Sequence, residues 1–387
     1  MKSDKLSNLA DIQTGPFGSQ LHKEDYVEIG TPIVTVEHLG NKNFTTQNLP
    51  CVSDEDKSRL SKYILREGDI VFSRVGSVDR CSYVSSEYDG WMFSGRCLRV
   101  RPSEEIDSEF LYYYFCLDKV KEFVRGIATG ATMPSINTKF MGEIIVTYPM
   151  LEKQRKIANL LSTLDNKIEL NRKINDNLFH QALTLYKSRF IDLEPFNGEM
   201  PDDWHLGTVS EIIEIHDSKR IPLSNRERAE LDKIYPYYGA TSIMDYVDRY
   251  LFDGIYLLLG EDGTVVDSKG FPILQYVEGK FWVNNHAHIL TGKNRFSVEL
   301  LYLLFSLTNV QSIVTGAVQP KISQANLNRV PVMIPSQREL QAFDDIIQSV
   351  FSQIRNLRIE NEKLAAIRDT ILPKLMAGEL DVSSIEL

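Results

Sequence analysis

The sequence predicts an α+β (mixed α/β) fold built twice, with two similar globular units separated by two long helices packed as an antiparallel coiled coil and related by a pseudo-twofold internal repeat. Three observations carry this. First, Ile127-Ala-Thr-Gly-Ala-Thr-Met-Pro-Ser-Ile136 returns as Ile313-Val-Thr-Gly-Ala-Val-Gln-Pro-Lys-Ile322, and the same 186-residue offset carries Pro149 onto Pro335, Ile168 onto Ile354 and Asn175 onto Asn361. A repeat this long is a duplicated domain, since solenoid units recur about every 20–50 residues. Second, each copy is followed by a long stretch of heptad-spaced apolar residues. Third, the remaining segments alternate short β-type runs with one clear helix each.

The first unit, residues 1–148, has strand signals at Pro32-Ile-Val-Thr-Val36, Asp69-Ile-Val-Phe72 and Cys97-Leu-Arg-Val100, and a helix near Ser108 to Ile127. Residues 149–195 then turn helical. Ile157, Leu161, Leu164, Ile168, Asn171, Asn175, Leu178, Ala182 and Leu185 step by threes and fours, a heptad seam. Pro195, Gly198 and Pro201 mark the join to the second unit, 196–334. That unit echoes the first with Ile255-Tyr-Leu-Leu-Leu259, His288-Ile-Leu290 and a helix near Ser297 to Val314, with Glu299-Leu-Leu-Tyr302 matching Glu109-Phe-Leu-Tyr112. The tail, 335–387, repeats the seam at Phe343, Ile347, Val350, Ile354, Leu357, Asn361, Leu364 and Ile371, uninterrupted until Pro373.

A lone helix about 55 Å long with such a stripe would be unstable or sticky, so the two are expected to pack on one another. The seam is expected at Leu161, Leu164, Ile168, Asn175 and Leu178 against Ile347, Val350, Ile354, Asn361 and Leu364, with the two asparagines fixing register. Antiparallel packing would set the units at opposite ends of a rod, a ruler spanning about one and a half turns of B-DNA.

Composition narrows the function. Charged residues are 25% and hydrophobic residues 43%, ordinary for a globular protein, with no apolar run near a membrane span and no apolar core of a signal peptide in residues 1–20. A cytoplasmic, membrane-free protein is expected. Cys51, Cys81, Cys97 and Cys116 all lie in the first half without counterparts, and read as reduced and structural. The net charge is −10, and no segment is strongly basic, so any grip on DNA needs a locally basic face or help from partners.

Catalytic patterns are few. Asp267 with Glu278-Gly-Lys280 has the carboxylate, carboxylate, lysine order that could hold Mg²⁺, but the first half lacks it. His286 and His288, two apart, could face a metal, with packing or a base contact the simpler role. No phosphate-loop motif occurs, and there is no Pro-Pro for an amino-methyltransferase tetrad. A binding module fits better than an enzyme. The frameworks match while the loops between Gly15 and Gly68 do not, as expected of two sites tuned to different targets.

The sequence closely resembles the specificity subunit of type I restriction-modification systems over essentially its whole length. The resemblance rests on Leu6-Ser-Asn-Leu-Ala-Asp-Ile-Gln-Thr-Gly15, Gly68-Asp-Ile-Val-Phe-Ser-Arg74, Phe190-Ile-Asp-Leu-Glu-Pro195, Pro201-Asp-Asp-Trp204, Asn284-Asn-His-Ala-His288 and Ile371-Leu-Pro-Lys-Leu-Met-Ala-Gly-Glu-Leu380. It implies two target recognition domains reading a bipartite, asymmetric sequence in double-stranded DNA, with the helices docking two methylation subunits and restriction/translocation subunits joining through the complex. S-adenosylmethionine, ATP and Mg²⁺ would belong to those partners, with no cofactor or metal on this chain. Candidate DNA contacts are Ser19, Ser73, Arg74, Arg96, Thr132 and Lys139 in the first unit. In the second they are Lys219, Arg220, Tyr238, Thr241, Asn285, His286, Gln319 and Lys321. Of these, Arg74 and Lys321 are favoured because each adjoins a repeated Gly or Pro turn. The alternatives are a self-contained Mg-dependent endonuclease using Asp267, Glu278 and Lys280, or a coiled-coil protein-binding scaffold.

Overall fold

A run of four buried residues, Ile70-Val-Phe-Ser73, explains the first unit: a strand covered on both faces is apolar except where, as at Ser73, the polar group is hydrogen-bonded. The structure, a computed structural model, describes residues 1–130, 132–316 and 318–382; Ala131 and Ala317 of the repeated decapeptide and the last five residues of the tail lie outside the described residues. The described chain divides into two compact units, one holding Met1–Leu170 and the residues from Glu360 on, the other Asn171–Ile359.

In the first unit, β1 (Ala10–Thr14), β2 (Ile70–Ser73), β3 (Cys81–Tyr83) and β4 (Cys97–Pro102) form an antiparallel sheet ordered β1-β4-β2-β3. Side chains alternate between two cores, as the period of a strand requires. Ile70, Phe72, Leu98 and Val100 join one core with Phe110, Leu111 and Phe115 of α1 (Ser108–Cys116) and Val120 and Val124 of α2 (Asp118–Ile127). Val71 and Cys97 face the other core, closed by a smaller sheet whose Ile33, Val52, Met92 and Phe93 are fully buried. Asp107 caps α1 by accepting from Phe110 N at 2.9 Å. All four cysteines are free, and burial pushes the Cys97 thiol up to about 12.

The second unit uses the same alternation in a larger sheet. β5 (Ile213–Ile215), β6 (Tyr235–Tyr238), β7 (Ile243–Val247), β8 (Phe252–Gly260), β9 (Leu274–Val283) and β10 (Ala287–Gly292) are ordered β5-β10-β8-β9-β6-β7, antiparallel except for β6 beside β9. Leu257, Leu259 and Leu290 pack toward α4 (Val298–Ser306), whereas Leu258, Ala287 and Ile289 pack on the opposite face with Phe252 and Phe281. Each unit is zipped at its ends by a two-stranded ladder, Lys2–Lys5 with Ile145–Tyr148 and His205–Thr208 with Pro331–Ile334.

The long helices are α3 (Leu151–Phe190) and α5 (Gln337–Ala377), and each contributes one part to each unit. Within the first unit Asp165 meets Arg368 at 2.6 Å and Lys167 meets Glu360 at 3.7 Å. Within the second, Tyr186 and Phe190 pack on Phe343, and Arg189 pairs with Glu339. Rising numbers on one helix meet falling numbers on the other, so the pairing is antiparallel in both units. Of the expected seam, Leu161, Ile168, Ile347 and Ile354 are buried, while Leu164, Leu178, Val350 and Leu364 are half-buried. Asn361 Nδ2 donates to Ile168 O at 3.3 Å across the pair, and Asn175 Oδ1 is buried without a hydrogen-bond partner among the described residues.

Two expectations need correction. Leu185 is 48% exposed, because by then the seam has rotated onto Ala182, Tyr186 and Phe190, the drift of a 3.6-residue helix against a heptad. And α5 continues through Pro373 to Ala377. A proline this close to the end removes little backbone bonding, while the last turn buries Leu375 and Met376 on the first unit's core.

Candidate nucleic-acid interface

Backbone hydrogen bonds align the two units residue by residue. Arg74 N donates to Arg96 O at 2.8 Å and Ile136 N to Arg74 O at 3.0 Å; in the second unit Glu261 N donates to His286 O and Ile322 N to Glu261 O, both at 2.9 Å. Arg74 and Glu261 therefore hold one and the same place. Strand register sets Ile12, Val100 and Ile70 abreast as it sets Ile215, Leu290 and Leu257. Counting along these strands, Thr14 corresponds to Asp217, Phe17 to Arg220 and Leu98 to His288.

The repeated decapeptide is one loop built twice. Thr129 and Ser135 exchange backbone bonds at 2.9 and 2.7 Å, as Thr315 and Lys321 do at 2.8 and 2.7 Å. Gly76 N pins the first loop through Pro134 O at 2.8 Å, and Gly263 N the second through Pro320 O at 3.0 Å. Gly130 and Gly316 turn with φ of +105° and +88°, and a Cβ on either would lie within 2.6 Å of the carbonyl oxygen of Met133 or Gln319. Ile136 and Ile322 anchor the far ends, both buried.

On this common frame the side chains differ in kind. In the first unit Arg74 sits over the half-exposed ring of Phe17, 5.8 Å from its centroid, and donates to Gly95 O at 3.1 Å, with no carboxylate partner among the described residues. In the second unit Arg220 donates to Glu261 at 2.5 Å and to Ala287 O at 2.8 Å, and lies 3.3 Å from Asp217. Lys321 meets Glu261 at 3.1 Å. His288, fully buried, has Nδ1 2.6 Å from Asp217 and Nε2 2.8 Å from Ile322 O. Gln324 Nε2 donates to Asp217 at 2.6 Å.

Burial alone would raise the Asp217 carboxyl, but hydrogen bonds from His288, Ile289 N and Gln324 hold it below the usual range. Glu261 behaves likewise, with burial opposed by Arg220, His288 and Lys321. Asp217, Glu261 and His288 bring their ligand atoms within 4.8 Å of one another. A divalent ion would have to displace the Arg220 guanidinium that already neutralises both carboxylates, so the donor set fits an ion-pair network better than a metal centre.

Of the candidate contacts, Ser19, Arg96, Thr132, Lys139, Lys219, Thr241, Asn285 and Gln319 are exposed, and Tyr238 is half-buried against Phe281. Backbone bonds set Arg96 and Ile136 on either side of Arg74. His286 O and Lys321 Nζ meet at Glu261, with the His286 ring paired to Asp262. Two candidates are placed otherwise. Ser73 is buried and donates to Val75 O at 2.7 Å, and Arg220 is held inside the ion-pair network. His286 precedes β10 and His288 lies within it, so the two do not share a strand face. Sequence reasoning missed Asp217, Glu261 and Gln324, and singled out His288 as a metal-facing, packing or base-contacting residue without its partner Asp217. The available signal was a charged or polar residue next to an apolar run, as in Leu257-Leu-Leu-Gly-Glu261 and Ala287-His-Ile-Leu290.

The nuclease pattern does not converge. Asp267 accepts from Lys269 N and Phe271 N within its own turn, Glu278 lies 3.8 Å from Arg355, and Lys280 stacks 4.7 Å from the Tyr250 ring. No helix among the described residues is long and apolar enough to cross a membrane.

Comparison with known proteins bears on both halves. A family model described as "Type I restriction modification DNA specificity domain" matches residues 1–179 and 201–369. The chain is 28% identical to the type I restriction enzyme MjaIX specificity subunit of Methanocaldococcus jannaschii, covering 98% of this chain and 94% of that protein. It is 31% identical to a putative type I specificity subunit of Mycoplasma genitalium, over 70% of this chain and 71% of that one. The crystal structure of a type I restriction-modification S subunit from M. genitalium shares the fold, with a TM-score of 0.54 at 20% identity, covering 97% of this chain and 95% of that one.

Proposed function

Since the chain belongs to the family of type I restriction-modification DNA specificity subunits, we propose that it reads one bipartite, asymmetric sequence in double-stranded DNA, one half with each unit. Its role is recognition, not catalysis. Residues 1–148 and 196–334 are the target recognition domains, and 149–195 with 335–387 supply the helices that dock two methylation subunits. Restriction and translocation subunits join through that complex. S-adenosylmethionine, ATP and Mg²⁺ are the partners' chemistry, and the work is cytoplasmic.

One observation carries the reading: a single backbone frame presents an arginine over an aromatic ring in one unit and a neutralised carboxylate network at the same place in the other. Donors and acceptors so exchanged cannot favour the same base edges, because each base pair offers its own pattern in the major groove. The net charge of −10 further supports a DNA grip shared with partner subunits, since phosphate neutralisation dominates affinity. For the first half-target the contacts are Ser19, Arg74, Arg96, Thr132 and Lys139. For the second they are Lys219, Tyr238, Thr241, Asn285, His286, Gln319 and Lys321. Ser73 and Arg220 act behind them, one holding the strand end and the other the charge network.

Long-read mapping of methylated adenines in a host carrying this chain with its methylation subunit tests the proposal. Two unlike half-sites at a fixed spacing are expected. A single continuous or palindromic motif, or a pattern unchanged when the chain is deleted, overturns it.

A further inference from the structure

Two of the four cysteines meet in the first unit. Tyr83 of β3 packs edge to face on Tyr112 of α1, 6.1 Å between ring centroids, and its Oη lies 3.2 Å from Ser108 Oγ one turn earlier on the helix. Cys81 is two residues back on the same strand face, and Cys116 is one turn further along α1. A two-residue step on a strand and a four-residue step on a helix are nearly equal, about 6.6 and 6 Å. The ladder that seats Tyr83 on Tyr112 therefore seats Cys81 on Cys116, and the two thiols hydrogen-bond each other. Neither DNA reading nor the helix pairing uses this contact, and the second unit has no cysteine.

The two sulfurs are unlike in their surroundings. Cys81 is buried, whereas Cys116 is half-buried and lines a cleft of about 660 Å³ with Tyr112, Tyr113, Lys119 and Lys121. The hydrogen bond from Cys81 holds the Cys116 thiol below its ordinary value against the cost of burial, helped by Tyr112 and Lys121. A thiol that a small oxidant can reach beside a cation, with a second thiol in contact, is the arrangement of a reactive cysteine and its resolving partner. Cys97 is the contrast: it is fully buried and its thiol is turned onto Val34 O. We propose that Cys116 and Cys81 are a peroxide-sensitive dithiol that closes reversibly to a disulfide. The Cys116 thiolate attacks hydrogen peroxide, the O–O bond breaks, hydroxide leaves and takes up a proton to become water, and Cys116 becomes a sulfenic acid. Cys81 then loses its proton and its sulfur attacks that of Cys116; the S–O bond breaks and a second water leaves. The two electrons given up by the sulfurs reduce the peroxide. The new bond ties β3 to α1 and closes a loop that carries Arg96, in the first unit alone. This chemistry is independent of what the chain binds.

Peroxide treatment of the full chain tests it. The treated protein is denatured, free thiols are blocked with iodoacetamide, and the unreduced digest is read by mass spectrometry. The expected product is a Cys81 peptide joined to a Cys116 peptide, released by dithiothreitol, with Cys97 still alkylated and the chain still a monomer on a non-reducing gel. Cys81 and Cys116 both alkylated after peroxide overturns the proposal. So does Cys116 carried to a sulfinic or sulfonic acid without the link, or a link found only between chains. A second readout uses Cys81→Ser, which removes the resolving sulfur. During peroxide treatment of that variant dimedone should label Cys116 about tenfold faster than Cys97. Equal labelling of the two overturns Cys116 as the attacking sulfur.

Discussion

The faces around Arg74 and Glu261 share a backbone and differ in how their charges are held. Arg74, half-buried, leans on Phe17 and a carbonyl, so its positive charge has no carboxylate to cancel it among the described residues. At Glu261 the charges cancel internally: Arg220 and Lys321 answer Glu261, and His288 and Gln324 answer Asp217. The frame tolerates both because it is made by backbone bonds and by buried apolar side chains earlier on the same strands, Ile70 and Phe72 in one unit and Leu257 and Leu259 in the other. Specificity can therefore change at such positions without rebuilding the fold.

The strongest way to break this comparison is to empty the network. Asp217→Ala leaves Arg220 and His288 facing a vacated acceptor in a buried site, and should destabilise the second unit by roughly 3–5 kcal/mol in chemical denaturation. The double change Asp217→Thr with His288→Leu, which installs the first unit's residues, should recover most of that loss. If it is as damaging as the single change, the positional equivalence is wrong. Acid probes the same network. Asp217 and Glu261 are both held below ordinary carboxyl values, so their contribution is complete above about pH 4 and is lost as pH falls from there toward the depressed values. Between pH 5 and pH 3 the wild type should lose more unfolding free energy than the double variant.

A smaller effect sharpens the claim that the frame is shared. Gly130→Ala and Gly316→Ala should each cost about 2 kcal/mol by denaturation, since both force a Cβ into a left-handed turn. A large difference between the two would mean that the loops are not equivalent. Smaller again, Arg74→Ala should weaken motif binding by the assembled complex about tenfold. Unchanged affinity at two salt concentrations would remove Arg74 from the interface. Lys321→Ala should matter least, about threefold or less, because Glu261 already partners that ammonium and an exposed ion pair contributes little. A tenfold loss there would show that Lys321 leaves Glu261 to meet DNA.

Much of the architecture was legible because it is periodic. The heptad rows at Leu161, Ile168, Ile347 and Ile354, the buried strand at Ile70–Ser73 and the duplicated decapeptide are local patterns whose spacing follows from helix and strand geometry. The exposed candidates Ser19, Arg96 and Lys219 could be chosen the same way, as polar residues in loops beside strands. What failed were choices that needed a rotation or a partner. Leu185 fits the heptad but faces outward, and Ser73 looks like a strand-end donor but is sealed beneath Val75 O.

Sequence by itself determined that one fold occurs twice, with an antiparallel helix pair and a repeated loop, because hydrophobic periodicity is written within a few residues. Tertiary structure alone decided which cations stay available. Whether Arg74 goes without a carboxylate and Arg220 is neutralised depends on bringing Glu261 to within 2.5 Å of a side chain 41 residues away, and Gln324 to within 2.6 Å of Asp217 across 107. Coulomb energy falls with distance in space and takes no account of separation along the chain.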